Sequence, residues 1–355
     1  MKVLNGTLLV ALLAAAVAAT APGQTITTLD DPSAGTASGQ GTVAVITSTG
    51  GVITGAYVDS SNVVHGFIRT AKGKYTSFDT PGTGVKLTAG TGINTGSVIT
   101  GFNVDSSSVM HGFVRTKAGA ITMFDVPGSG TNVGQGTEPY SINTKGVITG
   151  WNTDSQGNHH SFVRDATGVI TKFDAPHAGT GNHQGTLATA INTSGVISGG
   201  YVDAQNHFHA FVRAVNGTIT EFDYPSAVGT SATAMNTAGT VTGFYKDGSG
   251  VTHGFMRTKK GVFTSFDGPN SPHQTAGWAI NTAGVIAGLY TDGGGGVHGF
   301  VRATDGTITS FDPPGTGVLG TLVPGGFEMG INTAGDVVGY YLDGGSVYHG
   351  YLRTP

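Results

Sequence analysis

Residues 191–225 read INTSGVISGGYVDAQNHFHAFVRAVNGTITEFDYP, and this stretch decides the fold because the chain contains seven versions of it. The shared elements are I-N-T-x-G, an Asp, a His-small-Phe-x-Arg segment six residues after that Asp, and a closing F-D-x-P. The repeated histidine recurs at intervals of 44 to 51 residues, at His65, His111, His160, His209, His253, His298 and His349. Self-similarity at such a period is typical of repeat architectures, in which each unit packs against its neighbours.

The seventh copy is incomplete. It ends at Arg353-Thr354-Pro355 without F-D-x-P, and a matching segment, TITTLDDP, lies near the opposite end of the sequence at residues 25–32. An N-terminal strand that completes the last unit seals a closed ring. We therefore predict that the two ends of the chain meet and that residues 25–30 supply the missing strand.

The quoted copy predicts four short strands, at residues 186–191, 196–202, 207–213 and 218–222. Asn, Asp and Gly separate them where turns need positive φ or side-chain capping, and no window has apolar residues at helical spacing. Four antiparallel strands per copy predict an all-β fold, a seven-bladed β-propeller whose last blade is closed by the N-terminal strand. A solenoid is the competing architecture, but it needs capping ends and would not split one repeat between the termini.

The first 19 residues are a candidate export signal. Lys2 precedes a short apolar run with small residues at Ala16, Ala18 and Ala19, as in a secretory signal peptide. The run is shorter than the roughly 20 residues that cross a bilayer. We predict a signal peptide at 1–19, a single propeller domain at 20–355, no membrane span, and secretion to the extracellular space or the periplasm. Cys is absent, so burial rather than disulfides must stabilise the fold.

The charge content argues against nucleic acid as a partner. Only 11% of residues are charged and the formal net charge is −4, whereas nucleic-acid binding needs a basic face. The seven arginines all occupy one repeat position. They are therefore spread around the predicted ring, and we expect them to pair with carboxylates or carbonyl oxygens between blades. We also expect the closed ring to be a monomer.

The repeat resembles that of the secreted bacterial HAF-repeat proteins, which are named for a His-Ala-Phe signature. His209-Ala210-Phe211 matches the signature literally, and the other copies carry close variants such as His-Gly-Phe. Two copies depart from the pattern, since the first has Ser48 in place of Asn and the last has Tyr351 in place of Phe. The resemblance covers the whole predicted domain and implies an extracellular location, with no assigned activity and no catalytic residues to carry over.

Each copy pairs the repeated His with two aspartates, one before the His and one in F-D-x-P. The candidate clusters of the first and fourth copies are Asp59, His65 and Asp79, and Asp203, His209 and Asp223. An active site occurs once in a monomeric ring, whereas this cluster occurs in every copy. We favour a structural hydrogen-bond network, with the His tautomer fixed by a carboxylate, over metal ligation or catalysis.

Function is expected where the copies differ, in the connections between F-D-x-P and the next I-N. In a propeller these connections gather on one face around the channel. The candidate ligand-binding residues are Tyr140, Trp278, Phe327, His177, His183 and His273, and the candidate acid/base residues are Glu138 and Glu328. The three histidines are also candidate ligands of a divalent metal. Aromatic rings beside carboxylates suit sugars, which stack on the rings and hydrogen-bond at their edges.

Three functional hypotheses follow. The first is a non-catalytic propeller that binds an extracellular polysaccharide or a cell-surface protein without a cofactor. The second is an enzyme on the same face, either a polysaccharide lyase or hydrolase with Glu138 or Glu328 as acid/base, or a metal-dependent hydrolase that uses the loop histidines. The third is a purely structural surface or matrix protein.

Overall fold

The computed structural model describes residues 23–315 and 329–355, and regular secondary structure within these ranges consists of β-strands alone. The first two groups of strands are β2 (Gly41–Thr47), β3 (Ile53–Val58), β4 (Val64–Arg69) and β5 (Tyr75–Phe78), then β6 (Leu87–Ile93), β7 (Ile99–Val104), β8 (Met110–Arg115) and β9 (Ile121–Phe124). The next two are β10 (Gly136–Ile142), β11 (Ile148–Thr153), β12 (His159–Arg164) and β13 (Ile170–Phe173), then β14 (Gly185–Ile191), β15 (Ile197–Val202), β16 (Phe208–Arg213) and β17 (Ile219–Phe222).

The remaining strands continue the same spacing. They are β18 (Gly229–Met235), β19 (Val241–Lys246), β20 (Thr252–Arg257) and β21 (Phe263–Phe266), then β22 (Gln274–Ile280), β23 (Ile286–Thr291), β24 (Val297–Arg302) and β25 (Ile308–Phe311), and finally β26 (Gly330–Ile331), β27 (Val337–Leu342) and β28 (Tyr348–Thr354). The N-terminal strand β1 (Thr25–Leu29) joins this last group. Among the described residues there is no helix that could span a membrane.

Each group pairs its strands in sequence order, antiparallel throughout, and we call such a group a blade. The last blade is completed as the split repeat predicts, because β1 pairs antiparallel with β28. Thr25 lies opposite Thr354 and Leu29 opposite Gly350. Leu29 is buried in this joint, with only 2% of its surface exposed.

The first strands of the blades form the inner wall of a ring. They contact one another in cyclic order, from β2 through β6, β10, β14, β18, β22 and β26 and back to β2. Single parallel bridges, such as that between Met110 and Gly136, link neighbouring blades. Hydrogen bonding divides the strands into one sheet of 20 and another of eight, and β18–β25 form the smaller one.

Six inner strands, β2, β6, β10, β14, β18 and β22, carry a bulge at one fixed repeat position, three residues before the Asn of I-N-T or its equivalent Ser48. In β10 the pairing with β11 skips Tyr140, so the register shifts between Pro139 and Ser141. The opposite strand has Gly150 here, and a Cβ on it would lie 2.1 Å from the carbonyl oxygen of Glu138. The glycine of the I-T-G segment is therefore required by the close approach of the bulged backbone.

Phenylalanine and arginine together fill the space between blades. The Phe of His-small-Phe is fully buried in every copy that has it, as in Phe162 and Phe211. The arginines differ from expectation: the guanidinium of Arg213 stacks 4.7 Å from the ring of Phe173, which belongs to the preceding blade. Arg69 is in the first blade, whose preceding neighbour in the ring is the last blade. That blade has Leu29 in place of the Phe, and Arg69 lies over Tyr75 of its own blade instead. Cation–π contact rather than ion pairing is the repeated role of these arginines.

The Asn of I-N-T both caps a turn and joins two blades. The Oδ1 atom of Asn143 accepts the backbone N–H groups of Lys145 and Val147, and its Nδ2 donates to the carbonyl oxygen of Asn192 at 3.1 Å. The same bond runs from Asn94 to Asn143 to Asn192, and again from Asn236 to Asn281 to Asn332. Asn332 donates to Asp336 of its own turn, and the Oγ atom of Ser48 accepts the N–H of Val52 in its own turn.

Candidate binding site in the central channel

The inner strands enclose a cavity of about 180 Å³ at the level of their bulges. The bulged position, with its equivalent just before β26, is the cavity-lining position at which the repeat copies differ most in side-chain size and chemical type. Its occupants, in blade order, are Val45, Thr91, Tyr140, Thr189, Thr233, Trp278 and Met329. A second cavity of about 200 Å³ lies at the end of the channel where the I-N-T turns meet, and there the copies are nearly identical. Chemical variety is therefore greatest at the level of the bulges.

Two aromatic side chains lie in the wall of the cavity at the level of the bulges, and each packs against a second aromatic ring. Tyr140 on β10 has its ring centroid 5.4 Å from that of Trp151 on β11. Trp278 on β22 lies 5.7 Å from Phe244, which belongs to β19 of the preceding blade. Such packing fixes the orientation of both cavity rings, so they offer flat apolar faces at little cost in conformational entropy.

Three threonines supply the polar part of the wall. Thr91 Oγ1 donates to the carbonyl oxygen of Pro139 at 2.7 Å, and Thr233 Oγ1 donates to that of Gly277 at 2.6 Å. Thr189 makes the equivalent bond to the next blade at 3.1 Å. Because each hydroxyl proton is used in this way, the hydroxyl oxygens can act only as acceptors toward the cavity.

Glu138 lies next to this wall, two residues before Tyr140 on β10. Trp151 Nε1 donates to Glu138 Oε1 at 3.1 Å, and Trp151 also packs on Tyr140. Burial raises the pKa of Glu138 to about 7, although the bond from Trp151 lowers it. Glu138 can therefore hold a proton near neutral pH, and the ring of Trp151 connects it to Tyr140 in the cavity wall.

The strands hold three candidate residues that the sequence assigns to loops. Glu138, Tyr140 and Trp278 are on the innermost strands β10 and β22, because these strands begin immediately after the connections. Of the three, Tyr140 and Trp278 line the cavity. Phe327 and Glu328 lie outside the described residues.

The three loop histidines have separate surroundings. His177 is held by Glu221 of the next blade, with 2.5 Å between Nδ1 and Oε2. The ring of His183 faces that of His159 at 6.2 Å, and the carbonyl oxygen of His273 accepts the N–H of Thr252. Within the described ranges these histidines do not form a group of three with ligand atoms close enough to share a metal ion.

The Asp–His–Asp cluster is present in each copy of the repeat. In the first, His65 Nδ1 lies 2.9 Å from Asp79 and Nε2 lies 3.5 Å from Asp59. The Oδ1 atom of Asp59 accepts the N–H groups of Ser61 and Val63, so this carboxylate also shapes the turn between β3 and β4. The bond from Val63 is the main reason that the pKa of Asp59 is lowered. The cluster thus ties the turn, the third strand and the end of the fourth strand together.

The last copy builds its cluster from both chain ends. His349 Nδ1 lies 2.9 Å from Asp30, which follows β1, and His349 Nε2 lies 3.5 Å from Asp343. The same geometry therefore arises across the terminal joint and within a continuous copy. This equivalence favours a structural role for the cluster.

Sequence reasoning missed the bulged position as a class. The available signal was the residue three places before the Asn of I-N-T, which includes large aromatic residues in two copies where its neighbours are mostly small. The pairing register is needed to show that this residue faces the channel.

No protein-family model matches the chain, and no curated protein matches it. Among solved structures, a streptogramin B lyase matches with a TM-score of 0.57 and 16% identity, over 94% of this chain and 98% of that one. A catalytically inactive virginiamycin B lyase from Staphylococcus aureus with quinupristin matches at 0.56 and 14%, over 94% and 99%. A lectin from Aleuria aurantia in complex with Fucalpha1-6GlcNAc matches at 0.48 and 13%, over 82% and 99%. At these identities the likeness to the lyases shows a shared β-propeller fold.

Proposed function

We propose that this chain is a secreted protein of the HAF-repeat type, a closed seven-bladed propeller that binds one sugar residue of an extracellular glycan in its channel. The cyclic contact of the inner strands and the joint between β1 and β28 support the ring and its blade count. The apolar N-terminal run with its small-residue end supports export.

The chemical variety of the bulged position carries the binding proposal. Repeat copies that build the same blade carry different side chains at the cavity wall, which is the surface that a ligand in the channel would contact. Tyr140 and Trp278 offer ring faces for the C–H side of a sugar, and the threonine oxygens accept bonds from its hydroxyls. A cavity of about 180 Å³ is smaller than the ~300–1,000 Å³ of sites for drug-sized ligands, which favours a single sugar residue.

A second candidate function is acid/base catalysis on the same glycan, and the pKa of Glu138 favours it. A carboxyl group with a pKa of about 7 can donate a proton near neutral pH, as a glycan-cleaving enzyme requires. Glu138 is separated from the cavity by Trp151 and Tyr140, so a substrate would have to reach it from the mouth of the channel.

The proposal is tested by retention on a panel of monosaccharides and polysaccharides. Trp278→Thr and Tyr140→Thr introduce the residue that three other copies already carry, so the ring should fold. Each change should weaken retention about tenfold through loss of one stacking face. Val215→Thr, at an exposed rim position, is the matched control and should bind normally.

The two functions give different products. Binding alone predicts retention without new reducing or unsaturated ends in the glycan. Catalysis predicts such ends and their loss in Glu138→Gln. Retention that is equal in both channel variants and the wild type would refute the channel as the site.

A further inference from the structure

The blade that contains β14–β17 has one imidazole that its counterparts lack. The position two residues before the repeated His carries His207 in this copy, whereas an apolar, glycine or amide residue stands there in the others. The equivalents are Val63, Val109, Asn158, Val251, Gly296 and Val347. In the other copies one Asp and the repeated His face each other at this point. In this copy His207 adds a third side chain with an atom that can bind a metal.

The distances match a tetrahedral metal site. His207 Nδ1 and His209 Nε2 each lie 3.4 Å from Asp203 Oδ2, and the three ligand atoms lie within 4.8 Å of one another. Zinc bonds of about 2.0–2.1 Å at tetrahedral angles place neighbouring ligand atoms about 3.3–3.4 Å apart. The distances from Asp203 to His207 and to His209 thus already suit a zinc ion. The exposed ring of His207 can rotate to adjust its distance to His209.

The surrounding contacts hold two of the ligands in the required orientation. Asp203 Oδ1 accepts the N–H groups of Gln205 and His207, which leaves Oδ2 directed at the imidazoles. His209 Nδ1 lies 2.9 Å from Asp223, and its ring stacks on Tyr201. A carboxylate that takes the Nδ1 proton leaves the lone pair of Nε2 for a metal, as in carboxylate–histidine–zinc arrangements.

We propose that Asp203, His207 and His209 bind a divalent transition-metal ion, with Zn²⁺ as the best match to two imidazoles and one carboxylate. The site has three protein ligands and an open fourth position that faces solvent, because His207 is exposed. Water or a group from a bound molecule can occupy that position. The site lies on the turn between β15 and β16 and not in the channel wall, so it does not depend on the proposed sugar site.

The test is calorimetric titration of chelator-treated protein, produced without a polyhistidine tag, with Zn²⁺. We expect one ion per chain, and visible absorption of the Co²⁺ form typical of four-coordinate geometry. His207→Val installs the residue found in four other copies and should weaken Zn²⁺ binding at least about tenfold with the melting temperature of the metal-free protein retained. Asp223→Asn should weaken binding about 10- to 100-fold, while Asp267→Asn in the next blade should leave it unchanged.

Transfer of the ligand gives the opposite test. Val251→His places an imidazole beside Asp247 and His253, whose separation of 3.4 Å equals that of Asp203 and His209. This variant should bind a second ion. Absence of Zn²⁺ binding by the wild type, equal binding by His207→Val, or no second ion in Val251→His would each overturn the proposal.

Discussion

The Asp–His–Asp cluster is the same in all seven blades, whereas the channel position three residues before the I-N-T Asn carries five different residue types in those blades. The His of each cluster contacts both aspartates, so a change of the His removes two contacts at once. The bulged side chain lines the cavity, and different residue types fit there. In a repeat protein, uniformity thus marks what builds the unit, and divergence marks what the assembled ring presents to other molecules.

The largest effect is expected from a deletion of residues 23–30, which tests whether β1 and the cluster of the last blade hold the ring closed. The deletion takes away β1, the burial of Leu29, worth about 2 kcal/mol by itself, and the Asp30 partner of His349. It also exposes the edge of β28, which we expect to cause aggregation. Size-exclusion chromatography and thermal unfolding measure the effect.

Asp30→Asn is the control, because it removes the carboxylate and keeps the strand. It should remain monomeric with a small loss of stability. A deletion variant that stays monomeric with the melting temperature of the intact chain would contradict ring closure by β1.

The next effect concerns one cluster. His298→Ala should lower the free energy of unfolding by about 1 kcal/mol, since it leaves Asp292 and Asp312 without their partner. Burial lowers the pKa of His298, but the bonds and charges of Asp312 and then Asp292 outweigh it and raise the pKa. A raised histidine pKa stabilises fully below the unfolded value of about 6.5, and the contribution is lost as pH rises through the folded value.

The difference between wild type and His298→Ala should therefore be larger at pH 5.5 than at pH 8.5 in denaturant titrations. Glycan retention should not change. A loss of glycan retention by His298→Ala without a change in stability would show that this cluster takes part in binding rather than in building the blade.

A pH-dependent effect is expected next to the channel wall, at Glu138. The raised pKa of Glu138 means that the folded protein binds more protons than the unfolded chain between about pH 4.5 and about 7, so ionisation of Glu138 destabilises the fold as pH rises. Glu138→Gln keeps the acceptor for Trp151 and removes the charge. It should be more stable than the wild type by about 3 kcal/mol at pH 8 and equally stable at pH 4. Equal stability at both pH values would show that Glu138 ionises normally.

Most of the blade architecture follows from the sequence. The quoted copy predicts strands at 186–191, 196–202, 207–213 and 218–222, and each observed strand agrees within one residue. The strand bounds can be predicted because the Asn, Asp and Gly residues that form the turns lie directly between the strands. The pairing of the two chain ends also follows, because a missing segment and its match can be read directly.

The site is less predictable because it depends on register. A bulge changes which face of a strand a residue occupies, and nothing in the letters around Tyr140 or Trp278 shows that the pairing skips them. The separation of His177, His183 and His273 likewise depends on loop paths. His207 was overlooked because it flanks a strand, although a comparison of copies position by position would have singled it out.

The asparagine bonds between blades all run in the same direction around the ring. Each run has a direction, from Asn94 to Asn192 and from Asn236 to Asn332, and links three successive blades. The runs are interrupted between Asn192 and Asn236, where the smaller sheet begins, and between Asn332 and Asn94, where the first blade carries Ser48. We expect any widening of the channel that admits a guest to begin at these two interruptions.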